Sequence, residues 1–450
     1  MNTARITQAL RTVSDTASVT IGSGVLASAG ALFNQTFGQR PAVVVADENT
    51  FAAAGRAVHA ALAAALGTVE TPYIFPGPPV LHADFEQVLA LEAALRAHDA
   101  LPVAVGAGTV NDIAKLAAHR CGRPYMVVAT AASMDGYTAF GASITKDSYK
   151  QTMACPAPRA VLADTQVLVN APARMTASGY ADLLGKVTAG ADWLVADALG
   201  VEPLHPAAWA LIQDALRAWI ARPAALAAGD ESAMSDLIEG LIMAGLAMQM
   251  AQSSRPASGG EHLFSHLWEM EGLGQAQVPP LSHGFKVGVG SIACAALYEQ
   301  VLARDLGALP IAALAAAWPD RAALEAEVAR AHTVPGLRAA AVAESLAKYV
   351  DGAQLTARLT DLQARWPALR ARLAGQLLPA AQLREWLQAA GCPVSPDAIG
   401  LSGAAFKDTY RRARQIRRRY TVLDLAAETG VLTASVDALF APAGFWGQGA

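Results

Sequence analysis

The sequence predicts an α/β domain with a mostly parallel sheet, followed by an all-helical region. Two observations predict it. Short, continuously apolar runs rich in Val alternate with alanine-rich helical stretches over roughly residues 20–169, as expected of strands buried on both faces. Beyond "NAPARMTASGYADLLGKVT" the strand signals stop, and residues 171–450 read as helices broken by Pro and Gly. In order, "PAVVVADENT" (41–50) reads as a buried strand ending at Asp47. "LPVAVGAGTVNDIAKLAAHRCG" (101–122) reads as strand, glycine turn and helix. "RPYMVVATAAS" (123–133) and "AVLADTQVLV" (160–169) read as two further strands. The expected domains are therefore 1–169 and 170–450, with a ligand site in the cleft between them.

Composition narrows the function classes. Hydrophobic residues make up 53% and charged residues 16% of the 450, enough for a large core and too apolar for disorder. A net charge of −4 gives no general affinity for nucleic acid or an anionic membrane. The four cysteines are widely spaced with no C-x-x-C pair, which fits a reducing cytosol. "MNTARITQALRTVSD" lacks an apolar core, so no secretory signal is expected. "LIEGLIMAGLAMQMAQ" (237–252) carries Glu239 and is too short to span a bilayer; a buried core helix is expected. The tail beyond about 300 reads as amphipathic helices, and its basic run "RRARQIRRRY" (411–420) as the solvated face of one of them.

Two groups of residues carry chemistry. Gly106 and Gly108 lie between a strand and a helix, where glycine lets the backbone approach a pyrophosphate and the N–H groups near Thr109 and Val110 bind it. Asp47 has two readings, a ribose-hydroxyl partner that favours NAD or a helix N-cap before "ENTFAAAG". The second group is Asp182 in "SGYADLLGK", His262 and His266 in "GGEHLFSH", and His283 in "LSHGFKVG". An Asp with two neutral imidazoles suits Zn²⁺ or a similar divalent ion. His262 and His266 share a helix face one turn apart, so one can bind metal while the other reaches substrate. Taken singly, each has a structural alternative: a core histidine, a helix N-terminal carboxylate, a loop residue.

"GAGTVNDIAK", "TAASMDGY", "ASGYADLLGK", "RPASGGEHLFSH" and "SHGFKVGVG" follow the order and spacing of the sn-glycerol-1-phosphate dehydrogenases. Over about residues 40–290 the chain resembles that family, in particular its bacterial AraM-like branch. The family is grouped with glycerol dehydrogenases, iron-type alcohol dehydrogenases and dehydroquinate synthases. The resemblance implies a Rossmann-like N-terminal domain and an all-α C-terminal domain in a dehydroquinate synthase-like architecture. It implies that Gly106, Ala107, Gly108, Thr109 and Val110 cradle the NAD(P)H pyrophosphate and that Thr130, Ala131, Ala132 and Ser133 line the dinucleotide. It assigns Asp182, His262 and His283 to a divalent metal, zinc or nickel first, and Asp135, His266 and Asp182 to the substrate. The implied reaction is reversible reduction of dihydroxyacetone phosphate to sn-glycerol 1-phosphate, a step of glycerophospholipid metabolism. The alternatives are an unphosphorylated polyol such as glycerol, or a dehydroquinate synthase-like lyase reaction. A cytoplasmic homo-oligomer, a dimer first, is expected, with no nucleic acid partner and no membrane insertion.

The sequence departs from relatives in several places. Ala107 replaces a middle glycine, Ala139 replaces a common serine beside Thr138, and Phe285 and Lys286 follow His283. Lys186 and Arg255, adjacent to the metal motifs, are the candidate phosphate partners.

Overall fold

The computed structural model describes residues 3–77, 80–146 and 149–447. The chain forms two compact units, residues 1–183 with 210–254, and residues 184–209 with 255–450.

The first unit is built on a six-stranded sheet in the order β1-β8-β5-β4-β2-β3, with every pairing parallel. Its central strands are β2 (Ala42–Asp47), β4 (Leu101–Gly106), β5 (Met126–Ala129) and β8 (Ala160–Asp164). Every residue of β4, β5 and β8 is buried, which explains their unbroken apolar runs. Val44, Val103, Val128 and Leu162 meet Phe33, Val58 and Leu62 in one core cluster. Each such side chain contributes about 1.5–3 kcal/mol by leaving water.

The sheet contains more than the sequence shows. β1 (Ser18–Gly22) and β3 (Tyr73–Phe75) form its two edges, and β6 (Ala142–Lys146) pairs antiparallel with β7 (Tyr149–Met153) as a separate hairpin. The expected strand at 160–169 ends earlier, at Asp164, and Thr165–Val169 is helical. The cause is Asp164, whose carboxylate accepts the Gln166 N–H at 3.0 Å as an N-cap. It also accepts the N–H groups of Gly24 and Leu26, both at 3.0 Å.

The helix Glu231–Ala251 also belongs to the first unit, and its 237–249 stretch is buried throughout. Its Glu239 receives Arg5 Nη1 at 2.8 Å, which explains how an acid sits in a core helix.

The second unit is helical in all its regular elements among the described residues. Its centre is the helix Gly260–Met270 packed on His283–Leu302. The "GVG" spacing has a packing reason, because a Cβ on Gly290 would come within 2.6 Å of the Glu261 carbonyl oxygen. His283–Leu302 is long and apolar enough to cross a membrane by length and composition, yet 78% of its apolar window is buried within the protein. In the tail, Gly352–Gln376 buries Leu355, Leu359, Leu362, Trp366, Leu369 and Leu373 along one stripe. The basic run is not the face of one helix: Gly403–Arg412 ends within it, and a 3₁₀ turn, Ala413–Gln415, follows.

Candidate active site

In the first unit, β4 runs straight into the glycine turn and the helix Gly108–Arg120. Ala107 occupies the N-cap position with φ −93°, so the methyl group that replaces the relatives' glycine is unstrained. Ala107 offers no capping side chain, and the first helical turn carries no acidic residue. The N-terminal N–H groups of this helix are therefore suited to an anion. The segment 130–133 lies beside them: Thr130 N–H donates to the Gly106 carbonyl at 3.2 Å, and buried Tyr137 donates its hydroxyl to Ala131 O at 2.7 Å. Asp47 is the N-cap of Glu48–Thr50, accepting the Thr50 N–H at 2.8 Å.

Two residues that sequence reasoning missed position this region. Lys115 is fully buried and donates its ammonium to the carbonyls of Gly136, Ala139 and Gly141 at 2.9–3.1 Å, pinning the loop after Asp135. Burial lowers its pKa. Gly179 sits on the helix Ala173–Leu184, where an added Cβ would lie 1.9 Å from Ala132 O. Only glycine lets that helix touch the 130–133 segment, and the "SG" of the "ASGYADLLGK" motif was the available signal. Thr138, a possible stand-in for the missing serine, spends its hydroxyl on Ile242 O at 2.7 Å. One turn beyond Gly179, the Asp182 carboxylate is 1% exposed and accepts the Asp135 N–H at 3.1 Å.

In the second unit three imidazoles converge. Ring centroids of His262 and His283 are 5.3 Å apart, those of His262 and His266 5.8 Å, and those of His266 and His283 5.7 Å. Two of them are backed by carboxylates. His262 Nδ1 lies 2.9 Å from Glu261 Oε1, and His283 Nδ1 lies 2.8 Å from Glu269 Oε1. A carboxylate at Nδ1 favours the tautomer with its proton there, the form a metal-ligating imidazole needs. Glu261 is itself fully buried, accepting Gly259 N–H at 2.5 Å and the Thr188 hydroxyl at 2.9 Å. Burial pushes its pKa up, but His262 and Gly259 overcome that and leave it below the ordinary value. His283 opens its helix directly after the N-cap Ser282, so it is a helix residue, not a loop one. His266 is the exception, since its buried Nδ1 has no hydrogen-bond partner. Burial pushes its imidazole well below the usual range, His283 and His262 push the same way, and Glu269 opposes them. It is therefore neutral at pH 7.

The donor set fits a divalent metal: neutral imidazoles with carboxylates on their far nitrogens are the usual arrangement of ligating histidines. The other face of the same helix explains the tail. Phe264 and Trp268 point away from the histidines and pack against Phe406, with Tyr410 also against Phe264 and Trp446 behind Phe406. The C-terminal segment thus buttresses the histidine helix.

Residues 20–172 match the model of a family described as iron-containing alcohol dehydrogenase. A glycerol-1-phosphate dehydrogenase (NAD(P)+) of Bacillus velezensis is 34% identical over 395 residues, spanning 87% of this chain and 86% of its own. The enzyme of that name in Bacillus subtilis is 33% identical over 331 residues, spanning 73% of this chain and 70% of its own. The chain belongs to the glycerol-1-phosphate dehydrogenase family. The fold of this family member is also that of solved dehydrogenases. A glycerol dehydrogenase from Schizosaccharomyces pombe matches with a TM-score of 0.60 at 16% identity, over 94% of this chain and 91% of that one. A probable glycerol dehydrogenase from Sinorhizobium meliloti matches with a TM-score of 0.59 at 15% identity, over 94% and 99%. The two cations marked as phosphate partners in this dehydrogenase are deeply placed. Lys186 is fully buried, and Arg255 is 4% exposed, donating to Asp192 O at 2.8 Å and Tyr420 O at 3.1 Å.

Proposed function

We propose that this chain reduces dihydroxyacetone phosphate to sn-glycerol 1-phosphate, reversibly, with NADH or NADPH. The carrying observation is the pair His262–Glu261 and His283–Glu269, two imidazoles each oriented by a carboxylate at Nδ1, beside His266, whose buried Nδ1 has no hydrogen-bond partner. Asp182, His262 and His283 would hold one divalent ion, zinc or nickel first. When bound, the ion supplies Lewis acidity at the substrate oxygen and the nicotinamide supplies the hydride. The N–H groups from Gly106 through Val110 would bind the pyrophosphate, with Thr130, Ala131, Ala132 and Ser133 along the dinucleotide. Asp47 carries the same proposal for the ribose, through the oxygen not used in its cap. Asp135 and His266 orient the substrate. In alcohol oxidation neutral His266 accepts the hydroxyl proton, becoming imidazolium and passing it on to solvent; in carbonyl reduction it takes a proton from solvent and returns it to the product oxygen. The enzyme is proposed to act in the cytoplasm as a homo-oligomer, a dimer first.

The test is NADH oxidation at 340 nm by metal-stripped protein reloaded separately with Zn²⁺, Ni²⁺ and Mn²⁺. Dihydroxyacetone phosphate and dihydroxyacetone are compared, and the product's configuration is determined. Metal-dependent turnover of the phosphate ester to the 1-phosphate enantiomer is expected. Equal turnover of dihydroxyacetone moves the chain to the polyol dehydrogenases, and absence of net NADH oxidation to the lyase reading.

A further inference from the structure

The basic run 411–420 turns out to be a strap along the histidine helix. Arg412 pairs with Glu271, just past the end of Gly260–Met270, and Arg419 Nη1 donates to Ser258 Oγ, just before its start. The strap therefore runs antiparallel to that helix, and the turn Ala413–Gln415 packs on it. Arg417 lies between the two tethers, opposite the stretch that carries His262 and His266.

The arginines of the strap have different partners. Arg411 pairs with Asp408 at 2.9 Å, Arg414 with Asp424 at 3.9 Å and Arg418 with Glu344 at 3.6 Å. Arg412 is tied to Glu271, and Arg419 to Ser258. Arg417 alone among them has neither a carboxylate nor a side-chain partner among the described residues. Its guanidinium makes one long hydrogen bond, 3.3 Å, to the carbonyl of Ile416. It is half-buried, where an unpaired cation is costly. Its charge is felt at the site: after burial and the neighbouring histidines, Arg417 helps push the His266 imidazole down. With Arg255 it also adds to the effect of burial that brings Arg419 to about 10. Three guanidinium groups thus gather at one end of the histidine cluster, and one of them is uncommitted.

We propose that Arg417 is the phosphate anchor of the substrate, and that it sets the preference for a phosphate monoester over the free alcohol. The inference rests on the functional reading above. In dihydroxyacetone phosphate one methylene and one ester oxygen separate the reacting carbonyl from the phosphate. A substrate with its carbonyl at His266 therefore carries its dianion into the neighbourhood of the strap. A guanidinium fork matches phosphate oxygens in a bidentate pair, which a buried lysine point charge does not. Arg255, the other guanidinium near Arg419, is committed elsewhere, its Nε pairing with Glu202 at 3.2 Å.

The experiment compares wild type, Arg417→Gln, Arg417→Lys and the exposed, paired Arg418→Gln, all loaded with metal and NADH. It measures KM and kcat for dihydroxyacetone phosphate and dihydroxyacetone, and inorganic phosphate binding by calorimetry. Arg417→Gln is expected to raise KM for the phosphate ester roughly tenfold to a hundredfold, with KM for dihydroxyacetone unchanged. Phosphate binding should weaken in parallel, Arg417→Lys should recover part of it, and Arg418→Gln should match wild type. If wild type prefers the phosphate ester and Arg417→Gln retains both that preference and phosphate binding, the anchor is elsewhere and the inference falls alone. If wild type shows no such preference, the functional reading fails and takes the inference with it.

Discussion

His262 and Glu261 show how much chemistry two adjacent residues hold. The glutamate is buried, triply bonded and set against Nδ1, so it selects the tautomer whose Nε2 bears a lone pair. Glu261→Gln keeps the shape and removes the charge. Its affinity for Zn²⁺ should drop about tenfold to a hundredfold, as read by chelator competition, with the fold retained. Unchanged affinity would reduce Glu261 to a packing residue. His266 differs by having no partner on Nδ1. His266→Ala is expected to keep metal stoichiometry by elemental analysis and to lose turnover about 100-fold or more, whereas His283→Ala should lose the metal. Metal loss in His266→Ala would mean the two roles are exchanged.

At the scale of elements, two glycines fix how close neighbours come. A Cβ at 179 meets a backbone oxygen at 1.9 Å and one at 290 meets another at 2.6 Å, and backbone cannot swing aside as a side-chain tip can. Gly290→Ala should cost about 1–3 kcal/mol by pushing the two central helices of the second unit apart, seen as a lower Tm. Gly179→Ala should act locally, displacing the 130–133 segment. The expected result is a higher Kd for NADH by fluorescence titration, and an unaltered Kd would detach that segment from cofactor binding. The same scale explains what was hard to read. β1 and β3 are short edge strands of five and three residues, with only one buried position each. Without a continuous apolar run or clean alternation, neither rises above its loops. Asp164 breaks an apolar run at a point where composition alone continues the strand.

At the scale of the molecule, Asp192 gathers the second unit. Its carboxylate accepts Tyr298 Oη at 2.6 Å, Gly260 N–H at 2.6 Å and Val422 N–H at 2.7 Å, joining the start of the histidine helix to the tail. Burial, then the nearby Glu261 charge, raises it from 3.8 to about 7 against the pull of those donors and of Arg255. A carboxyl whose pKa is raised by folding binds its proton more tightly in the folded state. Its contribution is present on the acid side and is lost as pH rises from about 4 to about 7, on the order of 4 kcal/mol at most. Asp192→Asn should therefore flatten the fall of Tm between pH 5 and about 7 relative to wild type. An identical slope in both proteins would show that another group titrates there.

The sequence by itself determined the fold class, the parallel central strands, the glycine turn and the family, because these rest on local apolar runs and ordered motifs. It also marked every histidine of the cluster and Asp182. Only the tertiary structure decided what stands behind them. Lys115, Glu261, Glu269, Asp192 and Arg417 read as ordinary polar residues in one dimension, since a charge acquires a role from the partners that burial brings to it. Chain order likewise does not say that helices 210–254 fold with the sheet, or that a run of arginines near the end becomes a strap beside the histidines. The strap contacts join residues more than a hundred positions apart, and side-chain packing selects them, not local periodicity.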